Sequence, residues 1–147
     1  MKTAPARVRT KASWLLNQAA IPANRLLNEA LASVDARRHH YALLAALDEV
    51  GAASQAELSR RTTIDRSDMV ATVNELADKG LVERSPDAVD RRRNVVTLTT
   101  AGRRHLRKLD RLLAKVQDDL LEPLSADERQ HLVDLLTRVV DHQTARS

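Results

Sequence analysis

Between Ser54 and Leu98 the spacing of apolar residues changes twice, and this restricts the fold more than any other feature of the chain. Ser54 followed by Glu57 has the S-x-x-E spacing of a reciprocal helix cap, so a short helix is expected from about Gln55 to Arg61. A turn over Thr62 to Ile64 leads to Asp65, a good N-cap, and to a second helix that must end before Gly80. Leu81 to Arg84 then reads as a short strand, SPDAVD as a turn, and Val95 to Leu98 as a second, β-branched strand. Two short helices joined by a tight turn and followed by a hairpin make a helix-turn-helix with an appended wing.

The flanks read as long helices. Trp14 to about Val34 is apolar on nearly every side, through Leu15, Leu16, Ala19, Ala20, Ile21, Ala23, Leu26, Leu27, Ala30 and Leu31. Such a helix has to be covered, and a second copy of so small a chain is the simplest cover. Pro22 either kinks this helix or starts a new one. Arg37 to Val50 is the next helix, with Tyr41, Leu44, Ala45 and Leu47 on its inner side and Gly51 as its stop. Beyond the hairpin, Thr99 or Thr100 caps a long helix through about Leu121, Pro123 breaks it, and Ser125 with Glu128 opens a last helix to about His142. The first dozen residues and the final TARS read as mobile. The expected fold class is mainly α with a small β-hairpin, in one domain over 1–147. Within it, about 37–100 form the winged helix-turn-helix and about 14–34 and 101–143 are dimerisation helices.

Trp14 and Tyr41 are the only aromatic residues, so the interior must be leucine, valine and alanine, which favours helices. The absence of cysteine excludes disulfides, thiolate metal sites and a thiol switch within this sequence. His105, His131 and His142 form no metal-ligand spacing, and there is no glycine-rich phosphate loop or nucleophile elbow, so neither a metal nor catalysis is expected. No apolar run approaches bilayer-spanning length, and MKTAPARVRTK lacks the apolar core of a signal peptide; a cytoplasmic protein without membrane contact is expected.

The net charge is +4, with an isoelectric point near 10.0. Its placement says more. From Asp90 to Arg111 the basic residues are Arg91, Arg92, Arg93, Arg103, Arg104, Arg107, Lys108 and Arg111, against Asp90 and Asp110. From Gln117 to Leu136 acids dominate, with Asp118, Asp119, Glu122, Asp127, Glu128 and Asp134 against Arg129. This polarity points to a polyanion on one side.

At about 100° per residue, Met69, Val73 and Leu76 share the inner face of the second short helix, and Ser67, Ala71, Asn74 and Asp78 lie opposite, flanked by Asp68 and Val70. In a major groove Ser67 and Asn74 can hydrogen-bond base edges, Val70 or Ala71 can touch thymine methyls, and Asp68 can accept from cytosine. This helix has few cations, Arg66 and Lys79, so phosphate attraction must come largely from the wing. Strand alternation would send Arg91 and Arg93 to one side and Arg92 to the other, letting one arginine held by Asp90 enter the minor groove while its neighbours touch phosphates. Two other uses fit the same pattern less well: a protein-interaction module, which needs no arginine cluster, and a non-specific architectural DNA binder.

The order of elements and the pattern D-x-R followed by L-T-x-x-G, here Asp90, Arg92, Leu98, Thr99 and Gly102, resemble the MarR family of bacterial multiple-antibiotic-resistance regulators. The stretch SQAELSRRTTIDRSDMVATVNELADKGLVER is similar to that family's helix-turn-helix and first wing strand. The resemblance implies a two-fold dimer on double-stranded DNA with a pseudo-palindromic operator. It assigns Arg92 to the minor groove with Asp90 steadying it, and Ser67, Asp68, Val70, Ala71 and Asn74 to base reading. It also implies repression of nearby or divergent genes, relieved by a small phenolic or anionic effector, with no other cofactor. A pocket between dimer and DNA-binding parts would draw on Trp14, Asn17, Arg25, His39, His40, Tyr41 and Arg103. Trp14 and Tyr41 read more readily as packing residues, and His39 and His40 as surface residues at a helix start.

Overall fold

In the computed structural model, which describes residues 3–147, the chain runs α1 (Ala6–Arg9), α2 (Ala12–Ala32), α3 (Arg38–Val50), α4 (Gln55–Arg61), α5 (Arg66–Asp78), β1 (Val82–Pro86), β2 (Asn94–Leu98), α6 (Thr100–Leu120) and α7 (Ala126–Ala145). α3 is the hub. Leu43, Leu44 and Leu47 are almost wholly buried, and the helix packs against α4, α5, α6 and β2. Leu58 of α4, Met69, Val73 and Leu76 of α5, Val82 and Val96 of the hairpin, and Leu106 and Leu109 of α6 complete one core. The result is a winged helix-turn-helix carried between long helices.

Local chemistry fixes most boundaries. Ser54 Oγ accepts from the Glu57 N–H at 3.2 Å, but Glu57 turns to Arg61 at 3.8 Å, so the expected reciprocal cap of α4 is made by one partner only. Asp65 caps α5 by accepting from the Asp68 N–H at 2.9 Å. Thr99, not Thr100, caps α6, accepting from the Gly102 N–H at 2.9 Å. Ser125 and Glu128 cap α7 in both directions.

The strands are antiparallel and pair from Val82 with Leu98 to Pro86 with Asn94, so the hairpin is longer than expected and takes Ser85 and Pro86 into β1. Pro86 sits at the end of its strand, where its missing N–H costs least. A further bridge joins Ala53 to Val96 and ties the entry of α4 to the wing.

The termini depart further from expectation. Pro22 lies inside an unbroken α2, so it starts no new helix. α1 occupies part of the first dozen residues, read above as mobile; residues 1 and 2 lie outside the described residues. α7 continues to Ala145, past the expected end.

The outer helices leave apolar surface uncovered. α2 packs along α6, yet Leu31 is its only buried residue, and α7 buries none. Leu15, Leu16 and Ile21 on α2 and Val133, Leu135, Val139 and Val140 on α7 are all exposed. No helix of the described residues is long and apolar enough to cross a membrane.

Candidate nucleic-acid interface

The outer face of α5 is open as its helical wheel requires. Arg66, Ser67, Asp68, Val70, Ala71 and Asn74 are all exposed, whereas Met69, Thr72, Val73 and Leu76 are buried. Thr72 escaped the sequence reading; it tolerates the interior because its hydroxyl donates to the Asp68 carbonyl at 2.6 Å. At the N-terminus, Ser67 Oγ donates to Asp65 Oδ1 at 3.0 Å, which leaves its oxygen free as an acceptor. The Asp68 backbone N–H, then Ser67, hold the Asp65 carboxyl below its ordinary pKa.

Two ties, at Glu75 and at Lys79, fix the attitude of α5, and a third contact reaches it from the wing. Glu75 Oε2 receives the Arg37 guanidinium and lies 2.6 Å from His40 Nε2. The Arg37 backbone N–H donates to His40 Nδ1 at 3.3 Å, so the ring proton belongs on Nε2, which donates to Glu75. These contacts, Arg37 first and His40 second, draw the Glu75 carboxyl down to about 2. At the C-terminal end, Lys79 Nζ donates to the Asp35 carbonyl at 2.6 Å, and beside the wing Arg84 of β1 donates to Asn74 Oδ1.

The wing tip is a β-turn. The Arg93 N–H donates to the Asp90 carbonyl at 3.0 Å, which puts Arg91 and Arg92 at the two central positions. Strand alternation therefore does not govern where the arginines point, as the sequence reading had it; the turn does. Asp90 Oδ1 accepts from the Arg92 backbone N–H at 3.1 Å and from Arg92 Nε at 3.2 Å. The Arg92 side chain lowers the Asp90 pKa, and the Arg92 side chain is still 91% exposed, with its terminal N–H groups directed to solvent. Arg91 and Arg93 are exposed beside it.

The base of the wing explains the L-T-x-x-G pattern. The Thr99 N–H donates to the Leu81 carbonyl at 3.1 Å and Thr99 Oγ1 to the Gly80 carbonyl at 2.7 Å. A Cβ on Gly102 would lie 2.0 Å from the same Leu81 oxygen. α6 can approach the wing this closely only because residue 102 has no side chain.

The residues considered for an effector are less coherent. His40 is 3% exposed with both ring nitrogens engaged, which corrects its reading as a surface residue. The Tyr41 hydroxyl donates to Asp110 at 2.7 Å, a contact that together with partial burial raises its pKa to about 12. Arg38, the first residue of α3, donates to Asn28 Oδ1 at 3.0 Å and to Asn24 of α2. Trp14 and Asn17 therefore lie roughly 10–15 Å further along α2, at 1.5 Å per residue, from the start of α3. None of Trp14, Asn17, Arg25, His39, Tyr41 and Arg103 lines the cleft of about 660 Å³ between α6 and α7. Among the described residues no three His, Cys, Asp or Glu side chains could jointly hold a metal ion.

Comparison with known proteins matches this geometry. A family model described as "MarR family" matches residues 35–93, which run from the end of α2 to the wing tip. The PcaV transcriptional regulator from Streptomyces coelicolor, solved in complex with its natural ligand, is 30% identical with a TM-score of 0.75, covering 96% of this chain and 98% of that one. The chain belongs to the MarR family of transcriptional regulators. A mutant of MarR from E. coli complexed with operator DNA is 28% identical with a TM-score of 0.72, covering 85% of this chain and 90% of that one. Among curated proteins, the HTH-type transcriptional repressor NicR of Pseudomonas putida is 33% identical over 101 residues, 69% of this chain. The matches span 60% and 64% of the length of the curated relatives. Of the residues in the wing pattern, Asp90 holds Arg92, Thr99 and Gly102 seat α6 against Leu81, and Leu98 packs against the core.

Proposed function

We propose that the chain acts as a homodimer on a pseudo-palindromic DNA operator. The two α5 helices enter successive major grooves about 10 base pairs apart, and Arg92 of each wing enters the adjoining minor groove. Arg66 and the flanking Arg91 and Arg93 contact phosphates, while Ser67, Asp68, Val70, Ala71 and Asn74 face base edges. One observation carries this reading: Asp90 anchors an otherwise fully exposed arginine at a turn tip, on a hairpin whose Arg84 touches the open face of α5. A guanidinium held at its Nε and free at its terminal nitrogens is preorganised for an external anion. Dimerisation through α2 and α7, alongside α6, is supported by the uncovered apolar residues of α2 and α7.

The similarity to NicR, a repressor, and to PcaV, solved with its natural ligand, supports a repressor relieved by a small molecule, for which the family resemblance implies a phenolic or anionic compound. Trp14, Asn17, His39 and Arg103 remain the side chains for such a molecule, and the partner protomer would have to bring the distant ones together.

Arg92→Ala tests the wing. Operator affinity is expected to fall by roughly tenfold or more, and the slope of log affinity against log salt to shrink by about one phosphate's worth. Unchanged affinity and slope, measured by fluorescence anisotropy over a salt series, would remove Arg92 from the interface.

A further inference from the structure

One side chain on the outer face of α5 is already engaged by the wing. The guanidinium of Arg84 reaches from β1 and donates to Asn74 Oδ1. Because a guanidinium carries donors alone, the atom it meets must be the amide oxygen, and this fixes which way the Asn74 carboxamide is turned. Strand geometry aims Arg84 there. It shares a face of β1 with Val82, which is buried beside α5, and it pairs across the hairpin with the buried Val96. Arg84 and Asn74 are themselves exposed, so their contact serves no packing need.

Asparagine reads adenine with both ends of its amide, Oδ1 accepting from N6 and Nδ2 donating to N7. With Oδ1 held by a cation, an approaching adenine amino group meets an oxygen already serving a donor, and a positive charge behind it. Guanine presents acceptors at both O6 and N7, which suit the remaining Nδ2 donors. We propose that Arg84 is a positioning residue for base reading, which holds Asn74 as a donor and biases one operator position toward guanine over adenine. The inference rests on α5 entering a major groove, as proposed above, and it adds a side chain of the wing strand to the reading surface.

The test is selection of bound duplexes from a pool with a randomised half-site, with the base preference at each position read by sequencing. Wild type, Asn74→Ala, Arg84→Ala, Arg84→Lys and the double alanine variant are compared. One position is expected to prefer guanine over adenine by roughly tenfold in the wild type, within the range of a good base contact. Asn74→Ala and Arg84→Ala should each flatten that same position to within about threefold, the double variant should go no further, and Arg84→Lys should restore much of the preference. Thermal unfolding of Arg84→Ala is expected to match the wild type. The proposal is overturned if Arg84→Ala weakens all sequences equally, or if Asn74→Ala leaves a preference that Arg84→Ala abolishes, since Arg84 would then read the base itself. Adenine selected at the Asn74 position would overturn it as well. A wild type with no sequence preference would remove the groove reading and this inference together. A selective wild type unaffected by Asn74→Ala would remove this inference alone.

Discussion

Gly102→Ala is expected to lower stability by about 3 kcal/mol, the upper end of what overpacking costs. The added Cβ would meet backbone, 2.0 Å from the Leu81 oxygen and 3.0 Å from its carbon, with Leu98 Cδ2 at 3.1 Å on the other side. A backbone carbonyl cannot rotate away as a side chain can, so α6 must retreat from the wing base. That retreat strains the Thr99 cap of α6 and the Thr99 bond to Leu81, the residue before β1. Thermal melting at fixed protein concentration is expected to show a midpoint roughly 6–12 °C lower. Thr99→Ala, which removes the cap and the Oγ1 bond to the Gly80 carbonyl, should cost about 1–2 kcal/mol. A Gly102→Ala protein as stable as the wild type would mean that the helix and the hairpin are not locked together here.

Ile21→Glu is expected to turn the proposed dimer into monomers and to weaken operator binding by at least about a hundredfold. Ile21 is 62% exposed within its own chain, so a glutamate there disturbs little of the protomer core, and helix content by circular dichroism should be unchanged. In a two-fold interface built by α2 and α7 the same substitution buries two uncompensated carboxylates, each costing several kcal/mol. Losing the dimer removes the second recognition helix, and with it the avidity of paired half-sites. Val140→Glu, on α7 at 59% exposure, should behave alike. Sedimentation at micromolar concentration reads the outcome; a dimer that survives both substitutions would put the interface elsewhere.

Features set by neighbouring residues were legible in the sequence. The bounds of α4 and α5 follow from Ser54, Asp65 and Gly80, because a cap or a left-handed glycine acts within one turn. The wheel of α5 likewise separated its exposed from its buried residues, because α5 lies on the core with one face only. Features set across the fold were harder to read. His39 and His40 look alike in sequence, yet the helical phase that buries Leu43, Leu44 and Leu47 also turns His40 inward, onto a carboxylate thirty-five positions away. That spacing was the missed signal. Arg84 could have been found the same way, from its alternation with Val82 in L-V-E-R. Strand alternation is a poor guide to the arginine cluster at the hairpin tip, because the turn bond from Arg93 to Asp90 decides its geometry. Pro22 permitted either reading locally, and the packing of α2 along α6 favours a continuous helix.

The most direct test is fluorescence anisotropy of the intact protein on duplex DNA from its own upstream intergenic region and on a scrambled duplex, at low and at physiological salt. Affinity for the native duplex at least roughly a thousandfold above that for the scramble, persisting at physiological salt, is the expected result for a sequence-specific regulator. Equal affinities that collapse together as salt rises would contradict it, because wing and helix would then be holding phosphates without reading bases.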